Sequence, residues 1–261
     1  MTGEAEAQRR IATVLLGAVG EAGFALAGSG AIREHGLTER PTEDIDLFGG
    51  PTTTVDEFQA ALTRAENALS EAGYAVMWLR AVPLFARLRA TDPDGVLLDV
   101  DFATNWRADP PVMLRVGSVL SERDAVAGKL AAVYSRGEVR DFLDLDAIRA
   151  SGHYTDAEII ALGHEHDDGF DEGMFAAQLS RVANYLPSEA SEYDVTPDMF
   201  RDVQQRILAW AVALDRPKLD AGDRPAAVSL ASRRERLRRS FKGLSSVDRN
   251  SPDHRPPSPS L

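Results

Sequence analysis

"GSGAIREHGLTERPTEDIDLF", Gly28 to Phe48, is the stretch on which the reading of this sequence turns. A glycine-flanked serine, Ser29, precedes a short helical segment, and two aspartates one residue apart, Asp44 and Asp46, follow it. A helix start carries unpaired N–H groups and the positive end of the helix dipole, and Gly28 and Gly30 would let a phosphate approach that backbone closely. "DIDLFGG" alternates as a strand does, so Asp44, Asp46 and Phe48 share one face and Ile45 and Leu47 the other. Two carboxylates so close are tolerated in water or beside a hard divalent cation. Each half has a plain reading as well: a Gly-Ser-Gly loop, and the wet face of an edge strand.

"GVLLDVDFA" (residues 95–103) offers a further acid, because Asp99 and Asp101 again share a strand face while Val100 and Phe102 take the other. Lying beside the Asp44–Asp46 strand, it would bring three carboxylates to a pair of metal ions. That layout activates an attacking oxygen and clamps a triphosphate in an in-line displacement. Strand alternation leaves the choice between Asp99 and Asp101 open.

Around these stretches, residues 1–120 mix helical and extended patterns. "AQRRIATVLLGAVGEAG" and "VDEFQAALTRAENALSEAG" have apolar residues at helical spacing. "YAVMWL" and "LFARLRAT" read as strands, and "DPDG" as the turn into the Asp99 strand. From Ser121 the pattern is helical over 121–136, 139–150, 155–167, 171–185 and 197–215. The expectation is an α+β protein: a 1–120 α/β domain, a helical domain over 121–242, and a Pro/Ser-rich disordered tail over 243–261.

On the helix 121–136, started by Ser121 and Asp124, Lys129 and Arg136 share a stripe with Ala125, Val126 and Val133. Cations on an apolar stripe need a partner, either a bound anion or Asp141 and Asp144 of the next helix. Asp141, Asp144, Leu145 and Ile148 share one face of that helix, and Arg140 with Asp144 also reads as a surface pair. "HEHDD" (164–168) reads as a solvated helix end, and His35 as a helix-terminus residue. Of Trp78, Trp106 and Trp210, Trp106 is the one placed to stack on a base. The run "RRERLRR" reads as a solvated basic helix.

The chain has 261 residues, 44% hydrophobic and 27% charged, as in ordinary globular proteins, and no cysteine, which excludes disulfides and thiolate metal sites. Its formal charge of −12 argues against a broad nucleic-acid surface held by charge alone. Residues 231–261 are the exception, with eight Lys/Arg against three Asp/Glu. Neither a secretory leader nor an 18-residue apolar run is legible, so a cytoplasmic protein without membrane contact is expected.

The Gly28-Ser29 turn, ten residues, then Arg40-x-Thr42-x-Asp44-Ile45-Asp46 resembles the first motif of the DNA polymerase β-like nucleotidyltransferase superfamily. Lys129, Ala132, Arg136, Arg140-Asp141 and Asp144 resemble a further motif of the AbiEii-type toxins of type IV toxin–antitoxin systems. The resemblance covers about residues 28–148. It implies a polymerase β-like fold and transfer of NMP from an NTP to an RNA acceptor, the tRNA 3′ end above all, with release of pyrophosphate and a cognate antitoxin. It implies two Mg²⁺, replaceable by Mn²⁺, on Asp44, Asp46 and a third acid. "LLDVD" also resembles the corresponding strand of aminoglycoside nucleotidyltransferases, which favours Asp99, also as base, over Asp101. Lys129 and Asp144 would complete the catalytic set, and Gly28, Ser29, Gly30, Arg40, Thr42, Lys129, Arg136, Arg140 and Asp141 would hold the nucleotide. The alternatives are a small-molecule nucleotidyltransferase, or a non-catalytic interaction module that keeps the fold.

Overall fold

The computed structural model describes residues 3–215 apart from Pro41 and Glu43, with side chains from Ala5 onward. In chain order it contains α1 (Gly3–Val19), β1 (Ala25–Leu26), α2 (Gly28–Glu34), β2 (Asp44–Gly49), α3 (Val55–Glu71), β3 (Ala75–Val82), β4 (Phe85–Thr91) and β5 (Leu97–Thr104). There follow β6 (Val112–Leu114), β7 (Gly117–Val119), α4 (Glu122–Ser135), α5 (Val139–Ala150), α6 (Asp156–His166), α7 (Glu172–Ser180) and α8 (Pro197–Asp215). The mixed α+β expectation holds. Strands β6 and β7 are too short to show a period and are not legible in the sequence. The basic helix expected at "RRERLRR" (233–239), the limit at 242 and the disordered tail lie outside the described residues.

Seven strands form one mixed sheet in the order β3-β4-β5-β2-β1-β7-β6. The pairing that matters most is β2 beside β5, parallel, with Asp44 opposite Asp99 and Asp46 opposite Asp101. Because side chains alternate along each strand, the sheet has an apolar face carrying Ile45, Leu47, Leu88, Val100 and Phe102, all buried. Helix α3 covers it: Phe58 and Phe102 both pack on Phe24, at 5.8 and 6.1 Å between ring centres. Trp78 of β3 reaches the same helix, its Nε1 donating to Glu66 at 3.0 Å. The acids are therefore on the opposite face.

Local signals set the helices that frame them. Thr54 and Glu57 form a reciprocal capping box that starts α3, whose buried stripe is Phe58, Ala61, Leu62, Ala65 and Leu69. Ser121 Oγ accepts from the Asp124 N–H and starts α4 as its sequence implies. Helix α4 then packs against α2, α5, α6 and α7. The last strand ends at Val119, and one contiguous apolar cluster runs from Ala7 to Ala211 across that point.

Candidate active site

Helix α2 begins directly after β1, and its first residue meets β2. Gly28 has φ +57°, and a Cβ on it would lie 1.8 Å from Asp46 Oδ2. Only glycine tolerates both the left-handed backbone and that approach. Gly30 is a packing residue: a Cβ there would meet Leu26 Cδ1 at 3.1 Å.

Behind this junction lies a buried polar cluster drawn from four separate segments. Asp144 of α5 is fully buried; its Oδ2 accepts from Ser29 Oγ at 2.7 Å and from Arg40 Nη2 at 3.0 Å, and its Oδ1 accepts from Arg40 Nε at 2.9 Å. Lys129 Nζ of α4 lies 2.7 Å from Asp144 Oδ2 and donates to Ser29 Oγ, also at 2.7 Å. Arg40 Nη2 donates to the same hydroxyl at 2.8 Å. Desolvation alone would raise the Asp144 pKa, but the charges and hydrogen bonds of Lys129 and Arg40 outweigh it and hold the carboxyl down at about 2. Two cations thus converge on one carboxylate, an arrangement that suits a polyanion. The Tyr193 ring, 5.2 Å from the Arg40 guanidinium, supports Arg40 from the other side.

On the adjoining sheet face Asp44, Asp46 and Asp101 present carboxylate oxygens that all lie within 4.8 Å of one another. Asp46 is raised to about 7, first by desolvation and then by the negative charge of Asp44, with Lys129 opposing. Asp44 and Asp46 repel one another as they stand, and three hard oxygen donors fit Mg²⁺ or Mn²⁺. Asp99, favoured from the sequence as the third acid, is not in the group. It stands one pair further along β5, opposite Asp44, and Arg89 holds both its oxygens at 2.6 and 2.8 Å. That hydrogen-bonded guanidinium lowers the Asp99 pKa. Asp101 is paired in the same manner with Arg87 of β4.

The remaining motif residues divide. Arg140 Nη1 comes within 3.9 Å of Asp44 Oδ2 and so overlooks the acids. Asp141 is fully buried, accepts from the Glu138 N–H at the start of α5, and takes both Nε and Nη2 of Arg136 at 2.8 and 2.9 Å. Thr42 is buried and touches α1: its Oγ1 donates to Gln8 Oε1 at 2.8 Å, and Gln8 Nε2 donates back to the Thr42 carbonyl.

A cleft of about 360 Å³ runs from Gly28 and Asp46 past Lys129 and Arg136 to Trp106 and His166. Trp106, half-exposed, stands edge-on to His166 at 4.7 Å. His166 is not the solvated residue expected; its Nε2 lies 3.2 Å from Asp124 Oδ1. Asp124 also accepts from the Ala108 and Asp109 N–H groups, which pins the loop carrying Trp106. Despite desolvation, His166 and these donors hold Asp124 at about 2. His164 does lie at the surface, 3.4 Å from Glu172. Sequence reasoning misses Arg87, Arg89, Gln8 and the Asp124–His166 pair, because each acquires its role from a partner distant in the chain.

No curated protein matches the chain in sequence. Its fold is similar to that of JHP933 from Helicobacter pylori, 15% identical, with a TM-score of 0.49 over 94% of this chain and 100% of that one. It is likewise similar to MenT4, a nucleotidyltransferase toxin from Mycobacterium tuberculosis, 15% identical, with a TM-score of 0.48 over 92% and 91%. Residues 14–217 match the family model of the nucleotidyl transferase AbiEii toxin of type IV toxin–antitoxin systems. The chain belongs to that family and is a nucleotidyltransferase of its toxin type.

Proposed function

We propose that this nucleotidyltransferase moves NMP from an NTP to the 3′ end of an RNA, tRNA foremost, in a Mg²⁺-dependent reaction that releases pyrophosphate and blocks translation. The observation that carries the reading is a cleft lined both by Asp46, of the Asp44–Asp46–Asp101 group, and by Lys129, of the Ser29–Arg40–Asp144 cluster. Asp101 replaces Asp99 in this reading, because its carboxylate oxygen lies within 4.8 Å of those of Asp44 and Asp46.

Divalent cations on the three acids would supply charge neutralisation at the triphosphate and a more acidic acceptor hydroxyl. The chain's own residues do the rest. Ser29 and Lys129 grip the β and γ phosphates, and Asp144 keeps both donors aimed while Arg40 balances its charge. Arg136 lines the same cleft, Arg140 stands beside Asp44, and the Trp106 ring receives the base. The acceptor oxygen attacks the α-phosphorus, the bond to the bridging oxygen breaks, and pyrophosphate carries that electron pair away. The hydroxyl proton passes to Asp101, the acid nearest the sheet face that lies open to an acceptor. Thr42 positions Arg40 through its bonds to Gln8. Such substrates place the reaction in the cytoplasm, under restraint by a cognate antitoxin.

The test is incubation of the chain with total tRNA and each α-labelled NTP, with Mg²⁺ and with chelator, beside Lys129→Ala. Label on tRNA with wild type and Mg²⁺ only is expected. Label on protein or on an aminoglycoside instead would sink the RNA reading, and label surviving in Asp46→Ala would sink the assigned site.

A further inference from the structure

The sheet face that bears the acids continues uncovered beyond them, across β5, β4 and β3. Register orders it in rows. One runs Arg80–Arg87–Asp101–Asp46, the next Met77–Arg89–Asp99–Asp44, and a third Val82–Phe85–Ala103–Phe48. Strands lie ~4.8 Å apart, so the rows reach ~14 Å from the carboxylates to the sheet edge. Among the described residues nothing covers the outer part: Met77 is 54% and Leu97 57% exposed. The opposite face of the same strands is buried under α3.

The charges on this floor are not those of the chain as a whole. On a protein of net −12, three arginines lie within two adjacent strands, all facing the same way. Arg80 lies over the Phe85 ring at 5.3 Å, and no carboxylate pairs with it among the described residues. Arg87 and Arg89 are each forked onto one acid of β5. Asp101 belongs to the cation-binding group, so a cation arriving there competes with Arg87 for the same oxygens. Arg87 is then released as a cation beside the site, and a guanidinium fork matches phosphate as well as carboxylate.

We propose that this open face is the track for the acceptor: a single-stranded 3′ end of RNA crosses β3, β4 and β5 toward Asp101. Arg80 and the released Arg87 grip its phosphates in the first row, while Arg89 stays on Asp99 in the second. Phe85 offers a ring to a base, as single-strand platforms do. The inference rests on the RNA acceptor reading above and adds the route. It also explains how an acidic chain holds a polyanion, with a short arginine track ending at a cation site in place of a broad basic surface.

The test uses the full chain and 5′-fluorescein-labelled bulk tRNA, with anisotropy measured in Mg²⁺ over a range of salt. Arg80→Glu is expected to weaken binding ~10-fold or more and to lower the salt slope by ~0.7 for each phosphate no longer gripped. Arg64→Glu, the same charge change on α3 behind the sheet, should change affinity less than ~2-fold. Arg80→Gln and melting curves keep the result readable should the reversal disturb β3. Affinity for a fluorescent NTP analogue should not change in either Arg80 variant. Wild-type tRNA labelling together with unaltered affinity in Arg80→Glu and Arg80→Gln overturns the track and leaves the RNA reading standing. Label on protein or small molecules instead overturns both. A second measurement reads Arg87 directly: Arg87→Ala should tighten Mn²⁺ binding in the absence of substrates, and weaker or equal binding removes the exchange from the proposal.

Discussion

Gly28 and Asp46 are in contact so close that a single added methyl on Gly28 would overlap the Asp46 carboxylate, at 1.8 Å. This contact joins the turn that starts α2 to the acids on β2, and in the proposed function it sets how near a triphosphate at that turn comes to cations on the acids. Gly28→Ala should therefore abolish transfer. It should cost ~1–2 kcal/mol for the left-handed backbone, with the clash added to that. Transfer assays and chemical unfolding of the same preparation check it. An active Gly28→Ala protein with a normal Mg²⁺ response would contradict the assignment.

The choice of third acid gives a second test. Asp101→Asn should remove the thermal shift that Mg²⁺ produces and abolish transfer. Asp99→Asn should keep both, at a cost below ~1 kcal/mol for a half-exposed pair with Arg89. The reverse pattern would restore Asp99 as the cation ligand.

Asp144 is the carboxylate that Arg40 and Lys129 share, and its removal strips two buried cations of that common partner. Asp144→Ala should cost ~3–5 kcal/mol in urea unfolding. Its folded-state pKa, about 2, is depressed. Its contribution to stability, ~2 kcal/mol, is therefore present above the unfolded value of ~3.9 and is lost as pH falls toward 2. Stability of the wild type should drop across that window. Asp144→Asn should flatten the drop only in part, because Asp124 is held down to the same range.

Thr42 and Gln8 are reciprocal partners across 34 residues of chain. Thr42→Val and Gln8→Ala should each lose ~1–2 kcal/mol, with a double mutant losing much less than the sum. Full additivity would mean that the two act independently.

Much of this site is legible in the chain before any fold is considered. Period-two alternation puts Asp44 with Asp46 and Asp99 with Asp101, and helical spacing puts Lys129 and Arg136 on one stripe. Capping chemistry marks the starts of α3 and α4. Other features depend on partners far away: Ser29 meets Asp144 across 115 residues, and Arg40 meets it across 104. No local pattern encodes such a meeting. His166 escapes a local reading for the same reason, since a helix end looks solvated until Asp124 is packed beside it.

By itself the sequence determined which residues share a face of each strand and helix, and so that this chain carries two pairs of acids, a glycine-flanked serine and a lysine on an apolar helix stripe. The tertiary structure shows which of the two acids brings its carboxylate near Asp44 and Asp46, and which carboxylate partners Arg40 and Lys129. Alternation is a property of one strand and cannot tell Asp99 from Asp101. Register sets Asp99 beside Asp44 and Asp101 beside Asp46 alike, and an arginine of β4 holds each; only the packed positions of the side chains bring the Asp101 oxygens within 4.8 Å of both Asp44 and Asp46.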